Sequence, residues 1–373
     1  MTTPRVVVAG LGDSGLLTAV HLARPAGRFD IVGISSKPGL VSGQELGLRL
    51  TRPERWRTQY WTPFDRYRRL DRLRVVHGTL TALDADHRRV SVALPDGTTR
   101  TEPYDVLVVS TGVTNGFWRR PQVQTVEQVD ADLRAAHDRL AAADSVLVVG
   151  GGAAAVSCAL NVATRWPDKQ VDLCFPGERA LTQHHPRVWS HVRKRLSAAG
   201  VALRPGHRAE LPEDGALDRI GTGPVTWSTG QEPTPADAVL WTVGRVRPNT
   251  AWLPAELLDE DGFVRVRPTL QTAARPEIFA IGDVAATDPL RSSARNRADH
   301  LLAANIRAHL GGKPLGTFEA PRSRWGSVVG PQHDGLQVFA PSGKPFRLPD
   351  WFVWRVMYPG IVRRGIYKGV RRG

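Results

Sequence analysis

The 373-residue sequence has only two cysteines, Cys158 and Cys174, and no C-x-x-C pair. Electron transfer through two neighbouring thiols is therefore not expected, and two isolated cysteines suit a reducing cytosol. No segment approaches the run of about 18 apolar residues that a spanning helix needs. The first apolar strand begins at Val6, so we expect no secretory signal. The length and the 41% hydrophobic content indicate two or three packed units.

The first glycine-rich segment, GLGDSG, covers Gly10 to Gly15. The β-branched run Val6 to Ala9 precedes it, and the helix-compatible run Leu16 to Leu22 follows it. A tight glycine turn between a strand and a helix predicts a dinucleotide site, because the free N–H groups at the start of the helix bind phosphate. Gly10 permits the turn, Gly12 lets a pyrophosphate approach the backbone, and Gly15 lets the helix pack on the strand.

The usual acidic clamp on the ribose is missing from this site. About 20 residues after the last glycine, where that clamp is expected, the predicted strand Phe29 to Ile34 is followed by Ser35. A serine hydroxyl still hydrogen-bonds a ribose, although more weakly than a carboxylate does. Ser36 and Lys37 come next. They are either further contacts that reach toward phosphate or ordinary loop residues.

A second strand, turn and helix runs through GGGAAA, Gly150 to Ala155, after the apolar strand Ser145 to Val149. Ala155 replaces the third glycine and costs only a methyl group at a close contact. The next strand ends at Phe175, where an acid would select NAD. Without that acid a 2′-phosphate is not repelled, and Arg179 stands close enough in sequence to pair with one. NADH and NADPH both stay open, and the alternative for Arg179 is a solvated surface side chain.

Three further strings accompany the two glycine turns: YDVLVVSTG from Tyr104, AVLWTVGR from Ala238 with Pro248-Asn249 after it, and EIFAIGD ending at Asp283. In this order and spacing, the five segments resemble the flavoproteins with two dinucleotide-binding domains. The resemblance is strongest to the FAD-dependent pyridine nucleotide oxidoreductases known as type II NADH dehydrogenases, ferroptosis suppressor proteins and apoptosis-inducing-factor-like quinone reductases. It covers roughly residues 5–310.

The resemblance implies FAD as the cofactor and NADH or NADPH as the substrate. The FAD contacts that it implies, together with the residues beside them, are Gly10, Gly12, Asp13, Ser14, Gly15, Ser35, Ser36, Lys37, Thr111, Gly112, Gly282 and Asp283. The corresponding residues for the nicotinamide dinucleotide are Gly150, Gly151, Gly152, Ala153, Arg179 and Gly244.

The sequence departs from this family at the second turn. Where the family usually has glycine-valine-glutamate, the chain has Ala155-Val156-Ser157. A few residues later, Asn161 stands where the family has a glutamate. In related enzymes the first of these acids lies near the nicotinamide and the flavin, so the positioning of the hydride donor or quinone is in doubt. The absence of a thiol pair excludes thioredoxin and glutathione reductases, and it argues against a sulfide:quinone reductase.

The expected fold is α/β, with two Rossmann-like domains, the nicotinamide domain inserted in the FAD domain, and a short C-terminal region. Residues 1–122 and 246–320 would form the FAD-binding domain, 123–245 the NAD(P)H-binding domain and 321–373 the C-terminal region. Arg74 to Thr101 predicts a hairpin turned by Pro95-Asp96-Gly97. A helix is expected from about Ser293 to Leu310, with its N-terminus directed at the flavin ring.

The segment from Trp351 onward interleaves aromatic and aliphatic side chains with six basic ones. Pro359-Gly360 should break or kink a helix there. Six basic groups at about 1 kcal/mol each near an anionic surface favour peripheral membrane attachment. The alternative is a tail that packs on its own core or on a second copy of the chain. A helical wheel beyond the break puts Ile361, Val362, Ile366 and Val370 on one side and Arg364, Lys368, Arg371 and Arg372 on the other, with Arg363 near the boundary.

A membrane-attached flavoprotein without redox thiols most naturally reduces a lipid-soluble quinone. We therefore expect a cytoplasmic NAD(P)H:quinone oxidoreductase, peripheral on the inner face of the plasma membrane, without a metal site. Gln44, Glu45 and His300 are weak candidates for the proton donor. The net charge of +14 also fits a reductase for a soluble acidic carrier such as ferredoxin. Nucleic-acid binding through the basic and aromatic patch at 55–69 is less favoured, because several of its aromatics should be core residues.

Overall fold

The computed structural model describes residues 3–41, 46–114, 121–212, 217–244, 246–287, 298–320 and 325–371. The strands are β1 (Arg5–Ala9), β2 (Asp30–Ser35), β3 (Gly39–Leu40), β4 (Thr62–Pro63), β5 (Arg74–His77), β6 (Thr79–Asp84), β7 (Arg89–Ala93), β8 (Thr99–Pro103), β9 (Val106–Val109), β10 (Val113–Thr114), β11 (Ser145–Val149), β12 (Gln170–Cys174), β13 (Ala202–Arg204), β14 (Ala238–Trp241), β15 (Arg247–Pro248), β16 (Ile278–Ala280), β17 (Pro331–Gln332), β18 (Gly335–Phe339) and β19 (Pro345–Leu348). The helices are α1 (Asp13–Leu22), α2 (Leu46–Thr51), α3 (Pro53–Gln59), α4 (Val126–Ala142), α5 (Ala153–Arg165), α6 (Pro186–Ala198), α7 (Ala298–Leu310) and α8 (Asp350–Phe352). Helix α8 continues as a wider π-type helix over Val353–Ile366, and the two together are the C-terminal helix, residues 350–366.

The first sheet is parallel throughout, in the order β16-β9-β1-β2-β5. Its central strands are apolar on both faces, as a parallel sheet covered on both sides requires. Val6 and Val8 pack with apolar residues of α1 and α7, whereas Val7 and Val109 pack with apolar residues of β7. The glycine turn after β1 lies at the carboxyl edge of this sheet, the edge where open α/β sheets bind their ligands.

The second sheet is also parallel, in the order β13-β12-β11-β14. Val148 packs with residues of α5 and α6, and Leu147 packs with Trp227 on the opposite face. Along the sequence, the strands of this sheet come after β9 and before β16, so the second sheet is inserted between two segments that form the first. The predicted α/β fold with two Rossmann-like units is confirmed.

The predicted hairpin between Arg74 and Thr101 is wrong in part. The Pro95-Asp96-Gly97 turn does join two strands, with Gly97 at a φ of 83°. However, β6, β7 and β8 form a three-stranded antiparallel sheet, and β5 joins the parallel sheet beside β2. The tripeptide marks only one of the two reversals in this sheet, because the other, between β6 and β7, lacks a comparable turn signal.

The C-terminal region pairs β17, β18 and β19 into an antiparallel sheet, after which the C-terminal helix begins. Of the break or kink expected at Pro359, the break is wrong, since the helix continues through it to Ile366, and the kink stays a prediction. Proline disrupts an α-helix by removing the bond to the carbonyl four residues earlier and by clashing with it. The π-type winding does not use that bond, so the ring is accommodated.

Residues after the C-terminal helix pack on the segment between β4 and β5. Val370 forms an antiparallel bridge with Tyr67, and the Tyr67 and Tyr367 rings meet edge to face at 5.4 Å. Arg371 makes a bidentate ion pair with Asp71, at 2.8 and 2.5 Å. The predicted helical faces therefore do not extend to Val370 and Arg371, whereas Arg372 lies outside the described residues.

Within the described ranges, no helix has both the length and the apolar character that a membrane crossing requires.

Candidate functional site

The first glycine turn is built by backbone contacts that exclude side chains. Gly10 has a φ of 103°, and a Cβ there would lie 2.5 Å from the carbonyl oxygen of Ser110. A Cβ on Gly15 would lie 1.9 Å from the carbonyl oxygen of Gly10. At Gly12, by contrast, no described atom lies within 4 Å of an added Cβ. The turn thus packs tightly against β9 and leaves its middle glycine facing open space.

That open space is a cavity of about 460 Å³. It gathers most of the first group of predicted residues: Gly10, Gly12, Asp13, Ser14, Ser35, Ser36, Lys37, Thr111, Gly112, Gly282 and Asp283. Gly15 is the exception, since it lies beneath the turn and serves the packing of α1 on β1 and β9. These residues come from the carboxyl ends of β1, β2, β9 and β16, which explains why distant parts of the chain meet.

The polar residues at the end of β2 take the place of an acidic clamp. Ser35 is 8% exposed, and its hydroxyl accepts a hydrogen bond from the Lys37 backbone at 3.2 Å. The Lys37 ammonium donates to the carbonyl of Gln122 at 2.6 Å and to the Ser36 hydroxyl at 3.4 Å. Lys37 itself is 8% exposed. This end of the cavity therefore carries a well-anchored cation and two hydroxyl groups in place of a carboxylate.

The turn at Gly282 explains how Asp283 reaches the cavity. Gly282 has a φ of 86°, and a Cβ there would lie 2.8 Å from the Ser14 hydroxyl. The backbone of Ile281 donates to the carbonyl of Val109. Asp283 is consequently held beside the N-terminus of α1, where a carboxylate can accept hydrogen bonds from hydroxyl groups of a ligand.

Sequence reasoning missed Asn249 and Trp252, which also line the cavity. Asn249 is hydrogen-bonded on both sides of the turn after β9: its amide donates to the carbonyl of Thr111, and its side-chain oxygen accepts from Thr114. Trp252 donates to the carbonyl of Asn249 at 3.1 Å. For Asn249 the signal was present, because Pro248-Asn249 comes shortly after the string AVLWTVGR.

The second glycine turn has the same construction. Gly150 has a φ of 140°, and a Cβ there would lie 2.3 Å from the carbonyl oxygen of Thr242. Gly152 has no described atom within 4 Å of an added Cβ, and Ala153 begins α5 directly after it. The carbonyl of Gly151 accepts from the backbone of Leu181. Gly244, at a φ of 75°, follows β14 at the same edge of the sheet.

The specificity positions of this second turn carry no acid. Phe175 is 2% exposed and packs edge to face on Trp189 at 5.6 Å. The Arg179 guanidinium folds onto its own loop, where it donates to the carbonyls of Leu181, Thr182 and His184 at 3.3 to 3.4 Å. Arg179 is therefore not a fully solvated side chain, and its guanidinium already has partners in its own loop. A 2′-phosphate would compete with three carbonyl oxygens for this guanidinium.

The departures at Ser157 and Asn161 form a buried polar junction between α5 and two other parts of the chain. The Asn161 amide donates to the carbonyl of Ser157 at 2.8 Å and to that of Val329 at 3.3 Å, and Gln332 donates to the Asn161 oxygen. A Cβ on Gly47 in α2 would lie 2.4 Å from the carbonyl oxygen of Ser157. These contacts join α5 to α2 and to the C-terminal region.

The three proton-donor candidates gain no support. Gln44 and Glu45 lie outside the described residues. His300 is exposed on α7, where it meets His21 edge to face at 5.1 Å, and it is not among the residues that line the cavity. The start of the predicted helix, 293–297, also lies outside the described residues.

Both cysteines are buried, and no disulfide joins them. Burial raises the pKa of Cys158 to about 12, and burial with the nearby Asp172 carboxylate raises the pKa of Cys174 to about 12. Neither residue lines the cavity. Thiol exchange beside a flavin is thus not available from these side chains.

The sequence profile of the pyridine nucleotide-disulphide oxidoreductase family matches residues 4–305. The chain is 30% identical over 233 residues to Fe-regulated protein 8 of Mycosarcoma maydis. The aligned part covers 58% of this chain and 56% of that protein. It is 29% identical over 351 residues to an NADH dehydrogenase-like protein of Mycobacterium tuberculosis, covering 84% and 78% of the two chains.

Among solved structures, the sulfide:quinone oxidoreductase of Aquifex aeolicus aligns with a TM-score of 0.71 at 16% identity, covering 99% of this chain and 93% of that one. At this identity the likeness shows the fold alone.

Proposed function

Because the chain belongs to the pyridine nucleotide-disulphide oxidoreductase family, with FAD and NAD(P)H as its cofactors, we propose that it oxidises NAD(P)H and reduces a quinone-type acceptor at a membrane surface. When bound, FAD supplies the redox chemistry, since it accepts a hydride and passes on two electrons. The observation that carries the choice of acceptor is an exposed apolar surface on the C-terminal helix, connected to the first glycine turn.

The first cavity fits FAD. Its open middle glycine, Gly12, leaves backbone N–H groups at the start of α1 accessible to a pyrophosphate, and Lys37 places a cation at the far end. Asp283 offers a carboxylate to the hydroxyl groups between these two points. In this proposal the chain's own residues bind and orient the cofactor, and Asn249 and Thr111 keep the turn after β9 in place.

The second glycine turn would hold NAD(P)H, and the junction at Asn161 would set its position relative to the first. Asn161 and Ser157 lie on the helix that begins at this turn, and Gly47 lies on α2, which follows the cavity-lining residues within 34–41 in the sequence. Hydride transfer needs the two rings at a reacting distance, which a misplacement of about 1 Å disturbs. In this proposal the hydrogen bonds of the junction, and not glutamate side chains, hold the second turn in position.

A disulfide acceptor does not fit these residues, since both cysteines are buried with raised pKa values. The surface instead favours a lipid-soluble acceptor. Six of the seven large apolar side chains that are exposed in the described residues belong to the C-terminal region, namely Trp325, Phe346, Trp351, Val356, Ile361 and Ile366. Exposed apolar groups concentrated in one region mark an interaction surface rather than scattered surface residues.

Four of these side chains form a stripe on the C-terminal helix. Trp351, Val356, Ile361 and Ile366 stand every five residues and are 44% to 60% exposed. In a helix whose hydrogen bonds join residues five apart, such side chains lie about one turn from each other. We call these four residues the apolar stripe. The exposed basic residues close to it in the sequence are its border, namely Arg355, Arg364 and Lys368.

The apolar stripe and its border would together hold the protein on an anionic bilayer. Each half-exposed apolar side chain gains about 1 kcal/mol on full burial, and each basic group near the surface adds about 1 kcal/mol. Arg371 is not counted, because Asp71 already pairs with it. The total is several kcal/mol, enough for reversible attachment. Just after the stripe, the Tyr367 hydroxyl lies 3.5 Å from the Asp13 carboxylate at the first turn, so an attached helix would bring the flavin site to the membrane.

The test compares two acceptors and two variants. A W351S/I361S protein should keep its FAD and its NADH-driven reduction of a short-chain, water-soluble quinone, but should lose most of its flotation with anionic vesicles and its reduction of a long-chain quinone within them. Val75, exposed by 37% on β5, provides the control, because V75S removes an exposed apolar side chain elsewhere.

Equal vesicle binding by the two variants and the unaltered protein would remove the membrane proposal. A protein that reduces an acidic ferredoxin faster than any quinone would support the soluble-carrier alternative instead. The nucleic-acid alternative is weakened, since Trp56, Tyr60 and Tyr67 are all at most 8% exposed and only Trp61 of its tryptophans and tyrosines is partly exposed.

A further inference from the structure

A second cleft lies at the surface between α3 and the end of α5, away from both glycine turns. It has a volume of about 410 Å³, and its lining residues are Arg52, Glu54, Arg55, Thr164 and Arg165. Three guanidinium groups thus converge on one opening, against a single carboxylate. Neither the redox proposal nor the family resemblance assigns a role to any of these residues.

Two of the three cations of this cleft are not neutralised by an ion pair within the described residues. Arg52 and Arg165 have no ion pair among the described residues, and Arg165 lies over the Trp166 ring at 5.7 Å. Arg52 is half-buried, and burial together with the charges of Arg55 and Arg165 lowers its pKa. Crowded like charges destabilise one another unless an anion joins them. The cleft is therefore a place where a bound anion would relieve an existing repulsion.

Arg55 links the cleft to the C-terminal helix. Its guanidinium lies 4.9 Å from the centre of the Trp354 ring and 3.5 Å from the Asp350 carboxylate, and it donates to Gln59 at 3.2 Å. The neighbouring residue on the helix, Trp351, is 60% exposed and begins the apolar stripe. The cleft thus opens beside the surface that we propose to lie on the membrane.

We propose that this cleft binds a phosphate group, and that an anionic phospholipid headgroup supplies it when the apolar stripe is seated in a bilayer. Guanidinium groups match phosphate oxygens in pairs, and three of them with the Thr164 hydroxyl provide more donors than a carboxylate can use. The phosphate site does not depend on the redox chemistry, and only the lipid source rests on the proposed membrane function. Glu54 is the one acidic residue among the lining residues, so E54Q should strengthen binding.

The test uses the FAD-loaded protein and two probes. The first is inorganic phosphate at constant ionic strength, with the thermal unfolding midpoint as the readout, because a ligand of the native state raises it. The second is flotation with phosphatidylcholine vesicles that contain phosphatidylglycerol. R52Q/R165Q is the variant, and R57Q/R134Q is the matched control: it also removes two positive charges, but Arg57 and Arg134 pair with Asp130 outside the cleft.

We expect phosphate to raise the unfolding midpoint of the unaltered protein and of R57Q/R134Q. The rise in the unfolding midpoint of R52Q/R165Q should be smaller. Vesicle binding should fall roughly 30-fold in R52Q/R165Q, from two basic groups at about 1 kcal/mol each, and less than about 3-fold in the control. FAD content and reduction of a water-soluble quinone should be unchanged in both variants, which shows that they fold.

The outcomes separate the two proposals. A phosphate effect that R52Q/R165Q removes, with vesicle binding unchanged, supports the site with soluble phosphate as its source. The same phosphate effect in a protein that binds no vesicles leaves the cleft standing and removes the membrane part of the proposed function. Identical behaviour of R52Q/R165Q and R57Q/R134Q with both probes overturns the phosphate site.

Discussion

The two glycines of the first turn should fail in different ways when each is replaced by alanine. At Gly15 the new Cβ would lie 1.9 Å from the carbonyl oxygen of Gly10 and 2.5 Å from the Ser110 hydroxyl. Since the first contact is with backbone, no side-chain rotation relieves it. At Gly12 the backbone is ordinary, with φ −71° and ψ −172°, and the Cβ meets no described atom within 4 Å.

The magnitudes follow from these contacts. Overpacking costs typically 1–3 kcal/mol, and G15A should reach about 3 kcal/mol because α1 or β9 must move. G12A should cost at most about 1 kcal/mol, the range for loss of a good residue at a helix N-cap. Its methyl group, however, enters the cavity where a pyrophosphate would approach. FAD affinity should therefore fall by about 10- to 100-fold, equivalent to roughly 1–3 kcal/mol.

The assay is thermal unfolding of the FAD-free proteins together with titration of FAD, followed by the quenching of its fluorescence. G15A should unfold at a lower temperature than the unaltered protein, and G12A should unfold near it while binding FAD weakly. G27A is a control, because Gly27 also has open space around it but is not among the residues that line the cavity. Its positive φ of 77° makes a modest loss of stability, without loss of FAD, the expected result. If G12A binds FAD as tightly as the unaltered protein, the phosphate cradle is misplaced.

Three further predictions concern other parts of the molecule. C158A and C174A should retain NADH-driven quinone reduction, and neither native thiol should be alkylated at pH 8 at an appreciable rate, because both pKa values are raised to about 12; loss of activity with FAD retained would reinstate thiol chemistry. E102Q should lower the free energy of unfolding by about 1–2 kcal/mol at neutral pH, less than for a fully buried pair because Arg74 is 37% exposed. Hydrogen bonds from Arg74 lower the pKa of Glu102, so its stabilisation is complete above the usual glutamate pKa and is lost as the pH falls through the lowered value; a cost of E102Q that persists in acid would contradict this origin. G47A should destabilise by about 1–3 kcal/mol, since its Cβ would lie 2.4 Å from the carbonyl oxygen of Ser157, and it should slow hydride transfer measured by stopped-flow flavin bleaching; unchanged bleaching would show that the junction does not position the second turn.

The parts of the fold that the sequence could predict are those with local signals. Both glycine turns have an apolar strand before them and a helix after them, so their positions could be read from short segments. The absence of a carboxylate at Ser35 and Phe175 could be recognised in the same way, because the expected position of the acid is counted from the glycines. The binding roles of these residues stay predictions.

The contacts that sequence reasoning missed join residues far apart. Asn249 meets Thr111 across 138 positions, and Gln332 meets Asn161 across 171. Neither pair has a spacing rule that would reveal it. The C-terminal helix shows a different limit, since the rule that proline ends an α-helix does not apply to a helix with other hydrogen bonds. The arginine cleft, likewise, draws its members from helices whose approach is set by tertiary packing.

The contact between Tyr367 and Asp13 joins groups that are 354 positions apart. On a ribosome, Tyr367 is synthesised 354 residues after its partner in the glycine turn. A growing chain can therefore form the early βαβ unit before the contact with Tyr367 exists. Formation of the glycine turn and completion of its contacts are in this way placed in a fixed temporal order.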